Sequence, residues 1–155
     1  MKPVFLYEDL RGWLDEARKL GEVKDVDGAS WQEEIGMATE LLHASDPAPA
    51  ALFDNIPGYP KGFRVLVNFF GAKRMNMTLG CPTDLSRVEL SNAFLKAFQE
   101  AKPIPYEFVD KAPILENVQM GDDVNVLKFP TPFWHEHDGG RYIGTGSYDI
   151  TQDPD

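Results

Sequence analysis

The sequence predicts an α/β unit over residues 1–105 followed by a second, β-rich unit over residues 106–155. Three observations carry this. Apolar residues recur at helical spacing in four segments of the first part, with short β-branched and aromatic runs between them. Pro103, Pro105 and Pro113 in "KPIPYEFVDKAP" then interrupt any helix and force extended or turn geometry. Beyond them every run is strand-like and punctuated by glycine or proline.

The first helix is expected over about 9–20, where Leu10, Trp13, Leu14, Ala17 and Leu20 share a face and Gly21 stops the chain. "EVKDV" is a short strand candidate. Ser30-Trp31-Gln32-Glu33 has the S-x-x-E form of a capping box, opening a helix with Ile35, Ala38, Leu41 and Leu42 on one face and ending before "DPAPA". "ALFDNI" and "FRVLVNFFG" read as strands joined by the turn-rich "PGYPKG", the second alternating Phe63, Val65, Val67 and Phe69 on one side. "AKRMNMTLG" predicts a short helix closed by Gly80, and "TDLSRVELSNAFLKAFQE" a longer one carrying Leu85, Val88, Phe94, Ala97 and Phe98.

In the second unit "ILENVQM", "VNVLKFPTPF" and "DGGRYIGTGSYDITQ" are the expected strands, separated by turns such as "GDD". Two or three strands cannot bury an apolar face alone, so this unit reads as the opening of a larger one. Asp153-Pro154-Asp155 is a turn signal that normally leads into another strand. The last run carries apolar bulk on both faces, Tyr142 and Tyr148 on one and Ile143 on the other, as interior strands do.

Composition narrows the function. A chain of 155 residues with 43% hydrophobic residues can fill a core, and a net charge of −10 argues against nucleic acid or an anionic membrane as partner. No run of about eighteen apolar residues and no leader-like segment is present, so no membrane insertion and a cytoplasmic location are expected. The single cysteine, Cys81 between Gly80 and Pro82, has no second thiol for a disulfide or a thiolate metal site.

The sharpest chemical feature is His135-Glu136-His137-Asp138. On a strand, alternate residues face one way, so His135 and His137 would address the same cation. A third ligand is missing: Glu136 would face away, and Asp138 opens an Asp-Gly-Gly turn where aspartate commonly bonds its own backbone. A solvated or packed role is therefore the favoured reading, and His43 sits where a helix C-terminus favours positive charge. There is no G-x-S-x-G elbow, no G-x-x-x-x-G-K-[ST] loop and no G-x-G-x-x-G after a strand. Arg64, Arg74 and Arg141 are each able to serve an anion, and Gly144-Thr145-Gly146 signals a close backbone approach. The residues carry no complete catalytic constellation.

At "DGGRYIGTGSYDITQDPD", preceded by "LKFPTPFWHEH", the sequence resembles the UbiD family of decarboxylases, with its proline-rich approach, Asp-Gly-Gly, aromatic-Ile-x-Thr strand and Thr-x-Asp-Pro turn. "LRGWLDEARKLGEV", "EIGMATELL", "ALFDNIPGYPKGFRVLVNFFGAKRMNMTLG" and "PIPYEFVDKAPILENVQ" resemble the family's N-terminal region in the same order. The resemblance implies that an N-terminal α/β domain over 1–105 is followed, over 106–155, by a linker and the first strands of a flavin-reductase-like split β-barrel. It implies reversible non-oxidative decarboxylation of an aromatic or α,β-unsaturated carboxylic acid, with prenylated FMN, Mn²⁺ and K⁺, in a homo-oligomeric complete enzyme. Such a division of labour, chemistry from the cofactor and positioning from the protein, is general.

The family's Asn-x-x-x-x-Arg segment, its metal-binding histidine and glutamate and its catalytic glutamates would all fall after Asp155. The expectation is therefore no catalytic residue and no metal ligand within this chain, tight cofactor binding only in the complete enzyme, and Thr145, at the Tyr-Ile-x-Thr position, as the one contributor to the cofactor pocket. The alternative is a non-catalytic binding or assembly subunit of a multi-chain carboxylase, which the reading frame after Asp155 would distinguish.

Overall fold

A computed structural model describes residues 3–144, and its centre is the strand Ala-Ala-Leu-Phe-Asp. Helix α1 (Leu10–Lys19) leads to β1 (Val23–Asp27), α2 (Glu34–His43), β2 (Ala50–Asp54), β3 (Val65–Val67), α3 (Ala72–Thr78) and α4 (Arg87–Glu100). The strands form one mixed sheet in the order β1-β2-β3, with β1 parallel to β2 and β3 antiparallel to it.

β2 is central and therefore apolar on both faces. Ala50 and Leu52 point into a core with Trp13, Leu14 and Ala17 of α1 and Met77 of α3. Ala51 and Phe53 point the other way, against Ile35, Ile56 and Val67, with Trp31 and Trp134 packed around them. α1 and α3 thus cover one face and α2 the other. Burial of Trp13, Leu14 and Ala17 matches the periodicity of α1, while Leu10 at its open end stays exposed. Asp9 accepts a bond from Gly12 N–H at its start. At its end Gly21, at φ +72°, lets Glu22 N–H reach Ala17 O and its own N–H reach Arg18 O.

Arg74 of α3 is fully buried and locks these layers together. Its guanidinium meets the Glu22 carboxylate at 2.6 Å and donates to the carbonyls of Ala48 (2.8 Å) and Asn68 (3.1 Å). Three chain segments are thereby tied to one side chain. Burial lowers its pKa and the Glu22 charge opposes that shift.

Several elements differ from the sequence reading. The "FRVLVNFFG" strand shortens to Val65–Val67, because Asn68 at φ +53° turns the chain and sends Phe69 to the opposite face, where it stacks on Trp13 at 4.1 Å. α2 starts at Glu34: Ser30 and Glu33 do not form the expected capping box, and Glu34 Oε2 instead accepts from Ser30 N–H at 2.7 Å. α4 forms as predicted, capped by a Ser86–Glu89 box, yet none of its residues is buried. The strands expected in "ILENVQM" and "VNVLKFPTPF" are absent among the described residues: three 3₁₀ turns, Pro113–Leu115, Gly121–Asp123 and Val126–Lys128, stand in exposed extended chain. Of the final expected strand, 141–144 carry no strand geometry, and the rest lies outside the described residues.

Candidate functional site at the seam between the sheet and residues 129–144

Residues 129–144 return to the α/β unit. Phe133 pairs in parallel with Gln32: its N–H donates to Trp31 O (2.9 Å) and its carbonyl accepts from Glu33 N–H (2.8 Å). This pairing explains the lost capping box. Trp31–Glu33 spend their backbone groups on a segment a hundred residues away, and Glu33 takes a left-handed φ of +65° to turn from that pairing into α2. Gly36, in the first turn of α2, lies against the Trp134 carbonyl, where a Cβ would overlap it.

The chain then folds back through His135-Glu136-His137-Asp138. This stretch is a turn, closed by Asp138 N–H to His135 O (3.0 Å), with the Asp138 carboxylate accepting from His135 N–H (2.9 Å). The strand geometry that would aim both histidines at one cation is therefore absent, since the local Asp138 bonds favour the turn. His135 Nε2 lies 2.8 Å from Glu40 of α2, and His137 is exposed. His43 occupies the last turn of α2, where the dipole argument placed it. Among the described residues no three His, Cys, Asp or Glu side chains group to hold a metal ion.

Arg141 closes the loop. Its Nε donates to Thr131 O at 2.7 Å, its Nη2 donates to the Tyr59 hydroxyl, and its guanidinium lies 4.0 Å above the Trp31 ring. Next to it, Trp134 Nε1 donates to Tyr142 O at 2.9 Å. Desolvation, with Asp138 beside it, raises the pKa of the Tyr142 phenol above its ordinary value. Of the three arginines able to serve an anion, Arg74 and Arg141 are thus committed to internal acceptors, and only Arg64 is exposed. Cys81 is half-buried and free. Thr145 lies outside the described residues.

Between β3 and residues 129–132 runs a cleft of about 600 Å³, a volume suited to a small organic ligand. Phe63, Val65, Leu66, Phe129 and Ile143 give it apolar walls, and Arg64 is the single charge among its described lining residues. Among the described residues that line it there is no acid–base pair and no activated nucleophile. Sequence reasoning missed the clamp on Arg141, because its partners Trp31 and Tyr59 lie far upstream and neither carries a motif.

Comparison with known proteins places this seam. The model of the 3-octaprenyl-4-hydroxybenzoate carboxy-lyase N-terminal domain matches residues 14–94, and that of the 3-octaprenyl-4-hydroxybenzoate carboxy-lyase Rift-related domain matches residues 107–155. The chain is 34% identical over 156 aligned positions to the pyrrole-2-carboxylic acid decarboxylase of Pseudomonas aeruginosa, covering 95% of this chain and 31% of that protein. It is 30% identical to a phenolic acid decarboxylase of Bacillus subtilis, covering 96% of this chain and 32% of the relative. The open form of the vanillic acid decarboxylase of Sedimentibacter hydroxybenzoicus superposes with a TM-score of 0.75 at 25% identity, over 88% of this chain and 29% of that one. The chain spans about a third of the length of these relatives.

Proposed function

The chain belongs to the UbiD family of carboxy-lyases, and from that premise we propose that it is the N-terminal portion of an enzyme catalysing reversible, non-oxidative decarboxylation of an aromatic or α,β-unsaturated carboxylic acid. The observation that supports this is the order of two family domains along one chain, on either side of the Pro103–Pro105 break. Prenylated FMN, with Mn²⁺ and K⁺, is the cofactor set of the proposal, and a flavin-reductase-like split barrel is the fold into which residues 106–155 lead. A cytoplasmic homo-oligomer completes it; among the described residues no helix is long and apolar enough to cross a membrane.

The described residues do not themselves fit the metal, since no third donor joins any pair of histidines or carboxylates. The role proposed for this portion is scaffolding: the sheet and α2 hold residues 129–144, and these deliver the chain to the cofactor domain. Thr145 is the pocket residue proposed within this sequence.

Two measurements test the reading. A protein of the relatives' full length should release CO₂ from pyrrole-type or phenolic acids only when loaded with the flavin. The 155-residue chain, titrated with prenylated FMN and Mn²⁺, should show no stoichiometric micromolar binding. Flavin-independent turnover by the long protein would sink the cofactor assignment, and tight binding by the short chain would overturn the division of roles.

A further inference from the structure

The loop that ends at Arg141 has a hinge and a latch. Gly139 and Gly140 have no left-handed φ, and a Cβ built on either meets nothing within 4 Å. Neither packing nor backbone conformation requires glycine at these positions here. Their effect is freedom, because two adjacent glycines leave the loop more conformers than any other pair. The next residue, Arg141, ties the end of the loop to the α/β unit, beside the contact of His135 with Glu40 and the bond from Tyr142 N–H to Pro132 O.

Arg141 is held on both edge and face. Along the guanidinium edge, Nε reaches Thr131 O at 2.7 Å and Nη2 reaches the Tyr59 hydroxyl. On its face lies Trp31, 4.0 Å from the guanidinium carbon. Thr131 is itself buried, and Tyr59 packs on the Phe53 and Ile56 core. The latch is therefore fastened to the rigid part of the molecule. A lysine ammonium has neither the planar face for Trp31 nor two donors in fixed directions along one edge. Tyr142, the adjacent residue, then has its carbonyl fixed by Trp134 Nε1.

We propose that Arg141 is a positioning residue: through Trp31, Tyr59 and Thr131 it fixes the direction in which the chain leaves the Asp-Gly-Gly hinge, so that the α/β unit orients the residues after Tyr142 for the cofactor. The orienting of those residues for the cofactor rests on the proposed family function; the latch itself does not. The latch makes no contact with reacting atoms. Its influence is exerted on the geometry of the chain beyond Tyr142.

Arg141→Met and Arg141→Lys, with Tyr59→Phe as a milder break, test it in two systems. In the 155-residue chain, hydrogen exchange read by mass spectrometry should show protection of 131–142 falling about tenfold or more in Arg141→Met, the effect expected when charge-assisted bonds are lost. Protection of 10–80 should stay as it was. Arg141→Lys should recover only part of the loss, and Tyr59→Phe should cause a smaller one. In the flavin-loaded long protein, Arg141→Met should weaken flavin retention, read as the flavin-to-protein absorbance ratio after gel filtration, by more than it lowers kcat per bound flavin. Unchanged protection of 131–142 in Arg141→Met, or full recovery by Arg141→Lys, would overturn the latch. A loss of kcat per bound flavin larger than the loss of flavin retention would overturn the positioning role. Should the unmutated long protein show no flavin-dependent turnover, the proposed function fails, and the exchange comparison still decides the latch.

Discussion

Residues 10–80 and residues 101–129 carry comparable runs of large apolar side chains, yet most of those in the second region lack the partners found in the first. Phe129, beside Phe63, and Leu127, whose carbonyl accepts from the Tyr59 hydroxyl, mark the point where the chain regains contact. In residues 10–80 each face of β2 meets a helix or loop, and the polar groups that must enter the core arrive paired, as Arg74 does with Glu22. In residues 101–129 the backbone bonds are local, Glu116 N–H to Pro113 O and Val124 N–H to Gly121 O among them, and Ile104, Tyr106, Phe108 and Ile114 are more than four-fifths exposed. Apolar content therefore does not set burial; the deciding factor is whether the chain supplies a second surface at the right distance. α4 makes the same point in helical form. Its Ser86–Glu89 capping box is complete, and its Phe94 and Phe98 rings contact each other but no core. A helix can be well specified locally and still lack a tertiary partner.

The comparison is most severely tested by removing the buried cation from the packed region. Arg74→Met leaves the Glu22 carboxylate and the carbonyls of Ala48 and Asn68 without their donor. Breaking one side of a buried pair costs about 3–5 kcal/mol. Urea unfolding followed by Trp fluorescence should show a midpoint lowered accordingly, and Arg74→Met with Glu22→Gln should recover part of the loss. A midpoint within experimental error of the parent would mean that the three segments tied by Arg74 do not need the tie.

A smaller effect is expected where the second unit rests on the first. In Gly36→Ala the new methyl overlaps the Trp134 carbonyl, so either α2 or residues 131–134 must shift. Overpacking of this kind costs about 1–3 kcal/mol. The expected outcome is a lower melting temperature together with loss of the near-ultraviolet dichroism of Trp134. Retention of both would show that the seam is softer than the contact implies.

How far the sequence reveals these features obeys the same division. α1, β1, β2, α3 and α4 are legible because their signals are local: periodicity in "LRGWLDEARKLG", an apolar run in "ALFDNI", a glycine stop at Gly21. The capping box at Ser30–Glu33 fails because Trp31–Glu33 pair with Phe133, a contact that no local pattern encodes. The strand reading of 63–69 fails at Asn68, whose positive φ trades strand length for the stacking of Phe69 on Trp13. Strand propensity in "ILENVQM" has no neighbouring strand to pair with among the described residues, and without a partner it yields turns. At the seam, the Asp-Gly-Gly signature points to the right stretch of chain. It gives no sign that Arg141 finds its partners at Trp31 and Tyr59.

The smallest expected effect is the most telling for the comparison. Ile104→Ser and Phe108→Ser, placed where the side chains are 92% and 84% exposed, should each change the stability of the 155-residue chain by less than about 0.5 kcal/mol, as surface substitutions do. There is almost no apolar area for the folded state to lose. If residues 101–129 are covered once the protein has the length of its relatives, the same substitutions there should cost about 1.5–3 kcal/mol, the value of burying one large aliphatic or aromatic side chain. Differential scanning calorimetry of both proteins with both substitutions measures the two numbers directly. A loss above about 1 kcal/mol in the short chain, beyond the range of surface substitutions, would mean that residues 101–129 already pack on something within it, and the contrast between the two regions would collapse. A loss confined to the long protein would locate the second surface outside residues 1–144.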